Sequence, residues 1–109
     1  MNRYETSITQ QAEEQMREIV WYITVVLSNS SAAEKLINKL QIGILGLGNN
    51  PERFPLVEEE PWRSEGVRRI LINNYYVYFW IDIENACVHV IGVAFSGKNQ
   101  TEFLDNLDI

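Results

Sequence analysis

The apolar residues of this 109-residue chain change from a helical to an alternating period across Gly66, and that switch constrains the fold more than any other feature. From Ala12 to Leu47 they recur every three to four positions, and after Gly66 they alternate. Ala12, Met16, Ile19, Val20, Ile23 and Leu27 form one helical stripe. Thr9 precedes the stripe as an N-cap, and Glu13 and Glu14 fall where the helix dipole favours negative charge. The polar run Ser28-Asn29-Ser30-Ser31 interrupts it. Ser31 with Glu34 has the form of a capping box, opening a second stripe of Ala33, Leu36, Ile37, Leu40, Ile44 and Leu47. So short a connection predicts an antiparallel helical hairpin, ended by Gly46, Gly48 and Pro51.

A short alternating segment at residues 4–8 predicts a strand ahead of the hairpin. Residues 51–66 hold Pro51, Pro55, Pro61 and the run Glu58-Glu59-Glu60, and predict a solvated, turn-rich loop. Strands follow at 67–72, 75–82 and 86–94, joined by Asn73-Asn74 and Glu84-Asn85, where Asn tolerates the positive φ of tight hairpins. The expected fold is α+β: an N-terminal strand, a helical hairpin, then a three-strand antiparallel meander.

Two such turns fix a register. They set Val67, Arg69 and Leu71 opposite Trp80, Tyr78 and Tyr76, and then His89, Ile91 and Val93 opposite the same three aromatics. All these residues share one face. Ile70, Ile72, Tyr75, Val77, Phe79, Ile81, Val88 and Val90 share the other and should pack on the helices. The first face is too greasy for water, yet it carries Arg69 and His89. A partner chain or a second copy is expected to cover it, the alternative being the 51–66 loop folding over it.

Charge limits the chemistry. Nine basic against fifteen acidic residues give −6, the wrong sign for tracking phosphates generally. Arg53, Arg63, Arg68 and Arg69 nevertheless cluster, so a small local basic site survives. Cys87 and His89, one of each type, do not make a zinc site, and the glycines at 43, 46 and 48 follow no strand, so no phosphate loop is read. No metal or cofactor is expected. With one cysteine, no apolar leader and no run of ~20 apolar residues, a cytoplasmic protein that does not span a membrane is expected.

The ordered set Ile8-Thr9-x-x-Ala12-Glu13-Glu14, Asn50-Pro51-Glu52-Arg53-Phe54-Pro55, Gly66-Val67-Arg68-Arg69 and Asn74-Tyr75-x-Val77-Tyr78-Phe79-x-Ile81-Asp82 resembles the RelE/ParE superfamily over about residues 4–98. These are toxins of type II toxin–antitoxin systems, also known as plasmid stabilisation proteins. The resemblance implies a bacterial toxin domain at 1–98 restrained by a cognate antitoxin, with residues 99–109 as an acidic C-terminal tail beyond it. RelE-like members cut mRNA on the ribosome without a metal, using basic residues on the open sheet face; ParE-like members inhibit DNA gyrase. The long helical hairpin looks more like the ParE side.

Two departures bear on that choice. Trp80 stands where the family usually has an Arg, and Phe95-Ser96-Gly97-Lys98 replaces a His-or-Tyr-Gly-Arg-Arg ending. Cleaving RNA through its 2′-OH needs a proton acceptor, a leaving-group donor and cations at the phosphorane. Arg69, His89 and Tyr78 are the residues available for a RelE-like reaction, His89 having a suitable intrinsic pKa. The plainer readings are a packed His89, an Arg69–Tyr78 cation–π pair and an Arg68 that snorkels at the sheet edge. The lost cations favour a toxin that binds a macromolecular target, with gyrase-type inhibition ahead of ribosome-dependent mRNA cleavage, and a degenerate non-toxic binding module as a third reading. Arg53, Arg63, Arg68, Arg69, Tyr76, Tyr78, Trp80 and Lys98 are the candidate target- or antitoxin-binding residues. In the tail, Phe103, Leu104 and Leu107 would form one stripe of a short helix capped by Thr101. That helix would dock on the sheet unless the terminus frays.

Overall fold

The computed structural model describes residues 3–108. Strand β1 (Glu5–Ile8) leads into helix α1 (Gln10–Trp21), where the Thr9 hydroxyl accepts from the Ala12 N–H as the sequence predicts. The helix then widens into a π-helical turn, Tyr22–Val26, with the Leu27 N–H reaching back five residues to the Tyr22 carbonyl. The wider turn carries Leu27 off the stripe, so it is exposed rather than in the core. Helix α2 (Ser30–Gly46) begins two residues earlier than its capping-box signal, because the Asn29 side chain, not Ser31, accepts from the Ala32 N–H. After α2 the chain passes under Tyr4. The Gly48 carbonyl accepts the Tyr4 N–H at 2.8 Å, and a Cβ on Gly48 would collide with the Tyr4 carbonyl.

Strands β2 (Arg68–Ile72), β3 (Tyr75–Asp82) and β4 (Cys87–Phe95) form the expected meander. The sheet order is β1-β4-β3-β2, with β1 parallel to β4 along the edge. Asn73 takes positive φ in the first turn, whereas Ala86 does so in the second. There Asn85 is held instead by Asp82, whose two carboxylate oxygens accept from its backbone and side-chain N–H groups.

The helix-facing side is as expected: Val77, Phe79, Val88 and Val90 are buried against Ala12, Leu36, Leu40 and Ile44, flanked by Ile70, Ile72, Tyr75 and Ile81. Register on the other side departs from expectation. Arg69 opposes Tyr78, Leu71 opposes Tyr76 and His89 opposes Trp80, but a bulge between Tyr78 and Phe79 leaves Ile91 as an extra residue on β4. Tyr78 therefore faces Gly92, Tyr76 faces Ala94, and Val93 turns into the helix-facing core. Val67 lies just outside the ladder. At the bulge, the Gln15 side chain of α1 accepts the Val93 N–H at 2.9 Å.

The second face is not open. Val57 and Trp62 from the 51–66 segment and Leu104 and Leu107 from the C-terminus bury Val67, Tyr78 and Ile91 in a second core. The terminal residues form α3 (Gln100–Asp105), whose cap is Asn99 rather than Thr101. Gln11 of α1 clips this end in place, donating to the Asn106 carbonyl and accepting from the Asp108 N–H. Cover by the 51–66 segment and docking of the tail are both realised within one chain, so this face needs no partner to shield it.

Candidate functional site

The polar centre of the second face is built around Tyr78. Strand β3 aims it away from the helices, and the second core closes over it until none of it is exposed. Its hydroxyl accepts from Arg69 Nη1 at 3.3 Å and donates to Gln100 Oε1 at 2.6 Å. Gln100 in turn donates to the carbonyls of Phe95, Ser96 and Lys98, tying the first turn of α3 to the end of β4. Phe103 stacks on the Tyr78 ring, with centroids 5.6 Å apart.

Arg69 is held from three sides. Its Nη1 contacts both Glu59 oxygens, at 3.2 and 3.4 Å, and its guanidinium lies 4.3 Å from the Tyr76 ring centroid and 5.9 Å from that of Tyr78. The main cation–π partner is thus Tyr76, not Tyr78. Burial alone would weaken the charge on Arg69, but the Tyr78 oxygen and Glu59 more than offset it, and its pKa is raised. Burial pushes the Tyr78 pKa up as well, against the pull of Arg69. Tyr78 accordingly stays a neutral hydroxyl that donates to Gln100. Glu59, expected as part of a solvated acidic run, is the one residue of Glu58-Glu59-Glu60 that turns inward to meet Arg69.

His89 belongs to a different cluster. Its Nε2 lies 3.1 Å from Asp82 Oδ2, its Nδ1 is 2.9 Å from the Ser7 hydroxyl, and its ring stacks on Trp80 at 4.7 Å. Hydrogen bonds from Asn85 and then His89 lower the Asp82 pKa. Arg69 and His89 sit two strands and two residues apart, on the order of 12 Å between Cα atoms, with β3 intervening. Arg69 and Tyr78 meet; His89 does not join them.

Of the remaining basic candidates, the three arginines bind their own backbone. Arg53 donates to the Gly46 carbonyl and covers the Phe54 ring at 4.5 Å. Arg63 donates to the Val57 carbonyl at 3.1 Å. Arg68 reaches the Phe54 and Glu52 carbonyls, the edge position its parity predicts. Lys98 is exposed in the turn between β4 and α3. Sequence reasoning missed Glu59 and Gln100. Glu59 lies in the turn-rich 51–66 segment and Gln100 opens the six-residue α3, and their pairing with the sheet depends on how these two segments fold back.

The fold and this arrangement can be set beside known proteins. Residues 7–98 match the profile of the ParE toxin of the type II toxin–antitoxin system parDE. The chain belongs to that family and is a toxin of the type II toxin–antitoxin class, within the RelE/ParE superfamily. No match is found among curated protein sequences. Among solved structures, a chain of the chromosomal ParDE system of P. aeruginosa superposes with a TM-score of 0.70 at 14% identity, covering 87% of this chain and 98% of that one. A chain of the toxin–antitoxin complex RelBE2 of Mycobacterium tuberculosis gives 0.58 at 16%, covering 85% and 98%. An E. coli RelE toxin mutant in the free state gives 0.60 at 15%, covering 93% and 92%. These likenesses define the RelE/ParE fold.

Proposed function

We propose that this toxin acts by binding a macromolecular target, in the manner of gyrase inhibition, rather than by cutting RNA. The observation that carries the reading is the fate of its arginines. Arg53, Arg63 and Arg68 each donate to main-chain carbonyls, and Arg69 is paired with Glu59 and covered by Tyr76. A phosphorane needs cations free to face it, and these four are directed at their own chain. His89, engaged through both ring nitrogens and stacked on Trp80, lies apart from Arg69 and makes a poor general acid or base for the same phosphate.

A cognate antitoxin is the expected partner, since the neighbouring folds are described from the ParDE system and the RelBE2 complex. The cytoplasm is the proposed place of action. Among the described residues no helix is long and apolar enough to cross a membrane. Inducing the chain in bacteria, with and without its antitoxin, tests the reading. The expected outcome is antitoxin-reversible arrest with gyrase-linked DNA breaks and an intact ribosomal transcript map. Site-specific loss of mRNA on ribosomes would overturn it in favour of nuclease action, and unimpaired growth would leave only a non-toxic binding module.

A further inference from the structure

A second cluster of reactive side chains lies across three adjacent strands, outside the centre at Arg69 and Tyr78. Register places Ser7 of β1 beside His89 of β4, and His89 beside Trp80 of β3. The Ser7 hydroxyl is 2.9 Å from His89 Nδ1, and His89 Nε2 is 3.1 Å from Asp82 Oδ2. These contacts fix the proton. Hydrogen bonds from Asn85 and then His89 hold the Asp82 carboxyl below its ordinary pKa, so at neutral pH it is ionised and only accepts. Nε2 of the neutral ring therefore carries the hydrogen, Nδ1 is left as the acceptor, and the Ser7 hydroxyl donates to it. Trp80 stacks on the ring at 4.7 Å, and the Asn85 side chain donates to the carboxylate at 2.8 Å, so the ring and its orienting group are both held. The His89 and Asp82 side chains are 27% and 17% exposed, whereas Ser7 is open to solvent.

We infer that this cluster makes Ser7 a nucleophile toward neutral carboxylic esters, with His89 as its general base and Asp82 orienting the ring. A nucleophile, a base and an orienting carboxylate in one hydrogen-bonded line are what acyl transfer to a hydroxyl requires. Ser7 Oγ attacks the ester carbonyl as its proton passes to His89 Nδ1. The tetrahedral adduct expels the alcohol, which leaves with that proton, and the acyl group stays on Oγ. Strand β1 lies at the edge of the sheet, and the N–H groups of Glu5 and Thr9 point into it, at the Ala86 and Val90 carbonyls. By alternation the N–H of Ile8, next after Ser7, faces the open edge, where it is a donor for the developing oxyanion. The surroundings select the substrate. Asp82 and the net charge of −6 disfavour anions, phosphodiesters among them, while the Trp80 ring offers apolar surface beside the imidazole. An uncharged ester with an aromatic leaving group fits both conditions. None of this depends on the target proposed for the toxin.

Treating the full chain with p-nitrophenyl acetate at neutral pH, then digesting it and mapping acetyl groups by mass spectrometry, tests this. The expected result is a burst of p-nitrophenol with acetyl on Ser7, formed well ahead of acetyl on the lysines, which serve as the reference in the same digest. His89→Gln should slow labelling of Ser7 by about 100-fold, the usual worth of a general base, and leave lysine labelling unchanged. Asp82→Asn should cause a smaller loss at Ser7, and it carries the comparison if His89→Gln alters the circular dichroism spectrum. Cys87 offers a competing thiol 3.9 Å from the same ring nitrogen, so Cys87→Ala should keep both the burst and the Ser7 label. A wild-type chain acetylated only on lysines overturns the inference, as does a label that falls on Cys87 and spares Ser7. Ser7 labelling as fast in folded His89→Gln or Asp82→Asn as in wild type overturns it too, and leaves the three side chains as a brace between β1 and the β3–β4 corner.

Discussion

The two faces of the sheet are both buried, but by different means. The helix-facing side meets two regular helices through Val77, Phe79, Val88 and Val90, with Ala12, Leu36, Leu40 and Ile44 opposite. The other side is covered by a turn-rich segment and a six-residue helix, and it encloses the hydrogen-bonded chain Glu59–Arg69–Tyr78–Gln100. Dispersion and apolar burial hold the first face together. The second also depends on polar groups that must stay paired, because an unmade hydrogen bond there costs more than a made one contributes. The first face should therefore set global stability, and the second should open locally while the rest stays folded.

The largest effect should come from the first face. Phe79→Ala removes a fully buried ring that meets Phe54 edge-on at 6.0 Å, and should lower unfolding free energy by about 3–5 kcal/mol. Leu104→Ala on the second face should cost less, about 2–3 kcal/mol, because α3 can undock and re-solvate without disturbing the helices. Chemical denaturation measures both, and amide exchange separates them. Leu104→Ala should accelerate exchange at the Phe103 and Leu107 amides, while Val88 and Val90 in the first core keep their protection. Equal acceleration everywhere would mean that the two faces unfold as one unit.

Those faces were unequally legible in the sequence. Alternation from Ile70 to Val90 reports the helix-facing set correctly, because polar or opposite-face residues punctuate it at each step. The bulge escapes notice because Ile91-Gly92-Val93-Ala94 is apolar or small throughout, and nothing marks where the parity flips. Helix caps show a related ambiguity. Asn29 and Asn99 took the positions expected of Ser31 and Thr101, two residues on, in runs where several side chains can cap. The polar centre is half legible: Arg69 opposite Tyr78 follows from turn length. Glu59 and Trp62 reach the face through irregular chain whose path has no period to read, and Gln100 reaches it through the turn that precedes α3. The four arginines of residues 53–69 are visible as a basic cluster, but their expenditure on carbonyls and Glu59 emerges only in three dimensions.

A smaller effect sharpens the polar half of the contrast. Tyr78→Phe keeps the ring on Phe103 but removes the hydroxyl between Arg69 and Gln100. Gln100 then lacks its donor inside the second core, at an expected cost of about 1–2 kcal/mol. Tyr76→Phe keeps the ring that supports Arg69 and should be nearly neutral. A Tyr78→Phe chain as stable as wild type would mean that water replaces the hydroxyl, and that the polar chain contributes nothing the packing does not.

The smallest effect lies at the β3–β4 corner, where pH provides the probe. Asn85 and then His89 hydrogen-bond the Asp82 carboxylate and hold its folded-state pKa below the usual aspartate value. A depressed folded pKa binds fewer protons than the unfolded chain does, so it adds stability above the unfolded pKa of about 3.9. That increment is fully present at neutral pH and drains away as pH falls through the lower, folded value. Asp82→Asn cannot titrate, so its stability deficit relative to wild type should be greatest near neutrality and shrink steadily below about pH 4. Denaturation midpoints of the two chains between neutral pH and the acid limb measure this. A deficit that stays constant over the whole range would assign it to lost hydrogen-bond geometry at Asn85 rather than to the charge, and His89 would then be held by Ser7 and Trp80 rather than by Asp82.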